Sequence, residues 1–86
     1  MPTICMFRGI KIFINWRDHM PPHFHAVYGG DEVLVSIQEI EVIEGSFPNK
    51  QLKMLLGWAA LHQDELAENW ELARKQMELF PIDPLR

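Results

Sequence analysis

His23-Phe24-His25-Ala26-Val27-Tyr28-Gly29-Gly30-Asp31-Glu32-Val33-Leu34-Val35-Ser36-Ile37 is the stretch that decides the fold. Two runs rich in β-branched and aromatic residues, 23–28 and 31–37, flank a glycine pair of the length a two-residue hairpin turn requires. Side chains on a strand alternate between faces. A tight turn therefore puts Phe24, Ala26, Val33 and Val35 on one face, and His23, His25, Leu34 and Ser36 on the other. The apolar set belongs to a core, and the histidines point away from it.

Upstream, residues 3–7 and 10–16 form a second pair of runs around Arg8-Gly9, which predicts another hairpin. Its register is expected to place Ile10, Ile12 and Ile14 with Phe7, Cys5 and Thr3, leaving Lys11 and Phe13 opposite. Between the hairpins, Trp16 to Pro22 is polar and ends in two prolines that cannot donate ladder hydrogen bonds, so it reads as a loop. Downstream, residues 40–44 predict a fifth, acidic strand before a break at Gly45-Ser46. From Asn49, read as an N-cap, the period becomes helical. Leu52, Leu55, Leu56, Ala59, His62, Leu66, Trp70, Ala73 and Met77 form a stripe that also draws in Trp58 and Leu61. One helix of about 29 residues is the simplest reading, with bending anticipated near Gly57 or His62-Gln63-Asp64. The expected fold is α+β: a small antiparallel sheet of four to five strands, as two hairpins, packed on a long C-terminal helix. Residues 1–86 make a single domain, with a β-rich half over 1–45, a helical half over 48–78 and an extended tail over 79–86.

Eighty-six residues leave room for one core, and the 48% hydrophobic and 23% charged composition is that of a folding globular chain. The lone Cys5 cannot form an internal disulfide and reads as an inert small hydrophobe. Extra stability would have to come from a metal, a homodimer contact or good packing. The start has no basic stretch followed by a long apolar run, and no window suits a membrane span, so a cytoplasmic protein is expected. The net charge of −4 argues against a general nucleic-acid binder. It is unevenly placed: Arg8, Lys11 and Arg17 against Asp18 give +2 over residues 1–30, and the remainder carries −6. An anionic ligand would be steered toward the histidine-bearing part.

Three histidines within seven positions, His19, His23 and His25, form a cluster of side chains that titrate near neutrality. On one strand face His23 and His25 stand about 6 to 7 Å apart at the backbone, which lets both imidazoles converge on one metal. His19 or Asp18 could add a third ligand, and His62 with Glu65 could complete the site from the helix. Zinc or another divalent transition metal is the implied cofactor, although no compact motif such as His-Glu-x-x-His is present. A metal-free alternative makes His19, His23 and His25 catalytic, with His23 or His25 as general base and the other as general acid. Arg17, Asp18 and Lys11 would then bind substrate, an arrangement suited to RNA, whose 2′-hydroxyl supplies the nucleophile. In the structural alternative the strand histidines meet backbone groups, His62 is a core residue, and the acidic helix face of Asp64, Glu65, Glu68 and Glu71 meets a basic partner protein.

Met1-Pro2-Thr3-Ile4, Phe7-x-Gly9-Ile10, Asp18-His19-x-Pro21-Pro22-His23-Phe24-His25-Ala26 and Trp58-x-x-x-His62-x-x-Glu65-Leu66 together resemble the small bacterial proteins grouped as domain of unknown function 4160. The resemblance implies one half of a two-gene, toxin-antitoxin-like module, partnered by a small protein from a neighbouring gene. It also includes His62 and Glu65.

Overall fold

The computed structural model describes residues 3–85; Met1, Pro2 and Arg86, which the sequence reading assigned to the start and the tail, lie outside the described residues. Five strands, β1 (Thr3–Phe7), β2 (Ile10–Phe13), β3 (His23–Tyr28), β4 (Asp31–Ser36) and β5 (Val42–Gly45), precede helices α1 (Asn49–Leu61) and α2 (Gln63–Arg74). The strands form one antiparallel sheet in chain order. Both hairpins close on two residues, with Phe7 opposite Ile10 and Tyr28 opposite Asp31. At Arg8-Gly9 both φ angles are positive, 47° and 81°, the geometry whose twist matches that of the flanking strands.

The expected alternation of β3 and β4 is present: Phe24 pairs with Val35 and Ala26 with Val33, all fully buried. They join Cys5, Phe7, Ile10 and Ile12 beneath Leu55, Trp58, Ala59, Leu66, Trp70 and Ala73 of the helices. Trp58 anchors this layer, with its ring 5.5 Å from Phe7 and edge-on to Phe24 at 6.1 Å. Burial pushes the Cys5 thiol up from its ordinary pKa, so it sits in the core as a neutral thiol.

Four expectations need correction. The single long helix is two helices, parted at His62 (φ −117°, ψ 24°). A straight helix of 29 residues would run about 43 Å, beyond the longest molecular extent of 34 Å. Breaking it keeps both Trp58 and Trp70 over the sheet, and it leaves Leu61 77% exposed and Met77 52% exposed, outside the buried stripe. Second, the N-cap position of α1 is Pro48, with no side-chain cap, and Asn49 is the first helical residue. Third, Thr3 is exposed opposite Phe13, because the register shifts between Thr3 and Cys5 and Ile4 enters the core instead. Fourth, the last strand is Val42–Gly45 rather than residues 40–44, since Ile40 turns at φ 53°.

The extended end is tied across the molecule. Ile82 is buried and its N–H donates to the Ile4 carbonyl at 2.9 Å. Trp58 Nε1 donates to the Asp83 carbonyl, and the buried Asn69 amide brackets the Phe80 backbone through both its atoms. Among the described residues, no helix is long and apolar enough to cross a membrane.

Two glycines give opposite expectations. Gly45 has φ +86°, and a Cβ there would stand 2.0 Å from the Glu32 carbonyl oxygen. Gly45→Ala should lower the unfolding free energy by at least about 2 kcal/mol in urea denaturation. Gly57 lies within α1 with open space around it. Gly57→Ala should raise it by about 0.5–1 kcal/mol.

Candidate functional site

The face of the sheet turned away from the helices carries Phe13, His25, Leu34 and Glu44 as one cross-strand row, with His23 paired to Ser36 nearby. His23 and His25 therefore share a side, with their ring centroids 5.2 Å apart. Their side chains are only 6% and 11% exposed. His25 lies flat on Phe13, with centroids 4.8 Å apart and planes 5° off parallel, and His23 stands 5.3 Å from the Trp70 ring.

The loop after β2 brings the third group. Arg17 adopts a left-handed φ of 57°, and its N–H reaches the Ala73 carbonyl at 3.4 Å. The chain then returns along the sheet, and the Pro22 carbonyl accepts from the Ile37 N–H at 3.0 Å. Asp18 is thereby placed over the histidines. Its Oδ2 lies 3.0 Å from His23 Nε2 and 3.0 Å from His25 Nε2, while Oδ1 accepts from the His19 backbone N–H.

Each imidazole is also held at its far nitrogen. His23 Nδ1 faces the Pro21 carbonyl at 2.8 Å, and His25 Nδ1 faces Glu32 Oε2 at 3.2 Å. Both contacts require an Nδ1–H donor, and Asn15 Nδ2, 3.3 Å away, is placed to donate to His25 Nε2. That assigns a lone pair to each Nε2 in the neutral rings. Two nitrogen lone pairs and a carboxylate oxygen then meet in one small volume. Such a junction is stable only with a positive charge, either protons on the imidazoles or a cation between them. Burial alone would push the Asp18 carboxyl up. The bond from His25, the His19 N–H, and the charge and bond of His23 outweigh it and hold its pKa down at about 2.

Among the described residues, Asp18, His23 and His25 form a group able to hold a metal, with ligand atoms within 4.8 Å of one another. Ligands at about 2.1 Å stand about 3.0 Å apart at octahedral right angles, the separation between Asp18 Oδ2 and each Nε2, and about 3.4 Å apart at the tetrahedral angles usual for zinc. A carbonyl or carboxylate on the far nitrogen is also the usual device for fixing a metal-binding imidazole in its Nδ1–H tautomer. A cavity of about 210 Å³ opens beside the group, lined by Asp18, His19, Met20, Pro21, His23, Leu34, Ile43 and Glu44.

The other residues singled out from sequence are distributed around this centre. His19 is exposed and borders the cavity. Lys11 shares the histidine face but pairs across to Met6 and Val27. Arg17 turns to the end of α2, where the Gln76 amide, oriented with its oxygen inward, accepts from its guanidinium. His62 and Glu65 bond to each other at 2.6 Å, with the His62 ring 5.3 Å from Trp58, and they stand outside the Asp18 group. Glu32 and Asn15 were not picked out from sequence. Glu32 sits directly across the turn from the histidine strand, and the alternation of β4 puts it on the histidine face; Asn15 has no comparable sequence signal.

Residues 9–71 match the family model described as domain of unknown function (DUF4160). No curated protein and no solved structure matches the chain.

Asp18 should link stability to pH in metal-free buffer. Its pKa is lowered from 3.8 to about 2, so the stabilisation is complete above the ordinary value and is lost as pH falls through the folded one. Asp18→Asn should cost about 1–2 kcal/mol near pH 6. Urea denaturation at successively lower pH should show the gap to wild type narrowing toward zero.

Proposed function

The chain belongs to the DUF4160 family, described as a domain of unknown function, and from its geometry we propose that it binds a divalent transition metal through Asp18, His23 and His25. The observation that supports this is the convergence of two Nε2 atoms on one Asp18 oxygen while both Nδ1 atoms are tied to acceptors. Three protein ligands leave coordination positions free for a small molecule, the pattern of reactive rather than purely structural centres. Two imidazoles and one carboxylate suit zinc or iron(II); calcium and magnesium prefer all-oxygen sites. Cytoplasmic residence accords with the lone, buried Cys5 thiol.

A second reading keeps the metal-free chemistry on RNA within a toxin-antitoxin-like pair, with a small protein from a neighbouring gene as partner. What supports it is the exposed His19 beside the histidine pair; both nitrogens of His23 and of His25 are held, by Asp18 on one side and by Pro21 or Glu32 on the other, so either ring must release a partner before it can act as a general base. On this reading His19, at the cavity rim, is within reach of a bound substrate.

Protein purified without a histidine tag should carry near-stoichiometric zinc or iron by elemental analysis. Metal-free protein should gain about 2.7 kcal/mol of stability at a zinc concentration 100 times Kd. His23→Ala and His25→Ala should each weaken zinc binding at least about 100-fold, and Glu32→Gln about 10-fold, by competition with a chromophoric chelator. RNA cleavage that survives chelation and disappears in the double histidine variant would instead support the second reading.

A further inference from the structure

The cavity beside the Asp18–His23–His25 group adjoins a second hollow lined by Glu32, Leu34, Glu44 and Gly45, and the two share Leu34 and Glu44. Their charged lining consists of Asp18, Glu32 and Glu44; among the described residues no lysine or arginine lines either hollow. Lys11, on the same face, stands across from Val27, and the exposed Arg17 precedes Asp18 on the loop pinned to the Ala73 carbonyl; neither lines the hollows. Resting on the metal-site reading, we propose that Glu44 sets the ligand class of this centre: it screens the open side against anions, so the ligand is a small neutral or cationic molecule with an apolar body.

Glu44 is two strands from His25 in a row that runs His25, Leu34, Glu44. Strand spacing puts its backbone roughly 10 Å from that of His25, and its side chain lines the same cavity as Asp18 and His23. A bound divalent ion would be compensated mainly by Asp18, with Glu32 one hydrogen bond away through His25. An entering phosphate or carboxylate would then meet Glu44 with no lysine or arginine lining either hollow. Met20, Leu34 and Ile43 supply the apolar part of the wall, and Met20 and Ile43 are 64% and 47% exposed at its rim. The volume of about 210 Å³ corresponds to about seven water molecules, so the ligand is a compact one.

Cobalt(II) loaded into the metal-free protein provides the test, because its visible spectrum reports both metal binding and entry of a further ligand. At one pH near 7.5, titration with imidazole should perturb the wild-type spectrum, whereas inorganic phosphate at the same concentration should not. Glu44→Gln should strengthen phosphate binding roughly threefold to tenfold, and Glu44→Lys further, with imidazole binding unchanged within about twofold. Phosphate affinity that is the same in wild type and both variants overturns the role of Glu44. Wild type that binds phosphate as tightly as imidazole overturns the ligand class. A folded protein that gives no cobalt spectrum overturns the metal reading itself, and the inference falls with it.

Discussion

Two imidazole nitrogens on one carboxylate oxygen is the contact from which the rest of the site follows. A single Asp18 oxygen at 3.0 Å from both rings cannot be satisfied by neutral histidines whose Nδ1–H groups are already donated elsewhere. The cluster therefore demands positive charge, and the surroundings are built to keep the demand local. Phe13 beneath His25 and Trp70 beside His23 exclude water from the ring faces, which strengthens every charge interaction at their edges.

This arrangement ties the site to the helix break. Asp18 reaches the sheet because its loop is pinned at Arg17 to the Ala73 carbonyl on α2 and at Pro22 to the Ile37 N–H beyond β4. Gln63, the first residue of α2, donates to the Ile37 and Gln38 carbonyls just past β4. The end of β4, the start of α2 and the loop after β2 thus share a small set of backbone groups. A straight helix would carry Ala73 and Trp70 off the sheet, removing both the anchor for Arg17 and the wall behind His23.

Much of this was legible in the residues, and the parts that were not have definite causes. Period-two alternation through 23–28 and 31–36, closed by Gly29-Gly30, determined which residues face the core and put His23 and His25 together on the other side. The sequence offers His62-Gln63-Asp64, as well as Gly57, as a place to bend, and the break falls at His62. That it is a full break is hidden by an apolar stripe nearly continuous through His62, and only the size of the core makes a 29-residue rod too long. Thr3 was misplaced because a bulge slips one residue without changing composition. Asp18 entered as one of several third groups, since spacing cannot say how a diproline loop folds back. Glu32 was missed because its partner, a ring nitrogen on the adjacent strand, becomes identifiable only once the register is known.

Charge counted along the chain does not map simply onto the site. The first 30 residues are net basic, which suggested steering of an anion to the histidines. Folding rearranges that distribution. Antiparallel pairing carries Glu32 and Glu44 of the acidic half onto the histidine face, while Arg17 is drawn to Gln76. The charged groups lining the hollows beside the histidines are therefore carboxylates, Asp18, Glu32 and Glu44, an arrangement that favours cations there. A metal ion meets this field with attraction from every side, whereas a polyanion such as RNA would need basic side chains from elsewhere on the molecule or from a partner. The nearly buried rings keep polar partners at their edges, Asp18 for both and Glu32 for His25, in place of solvent.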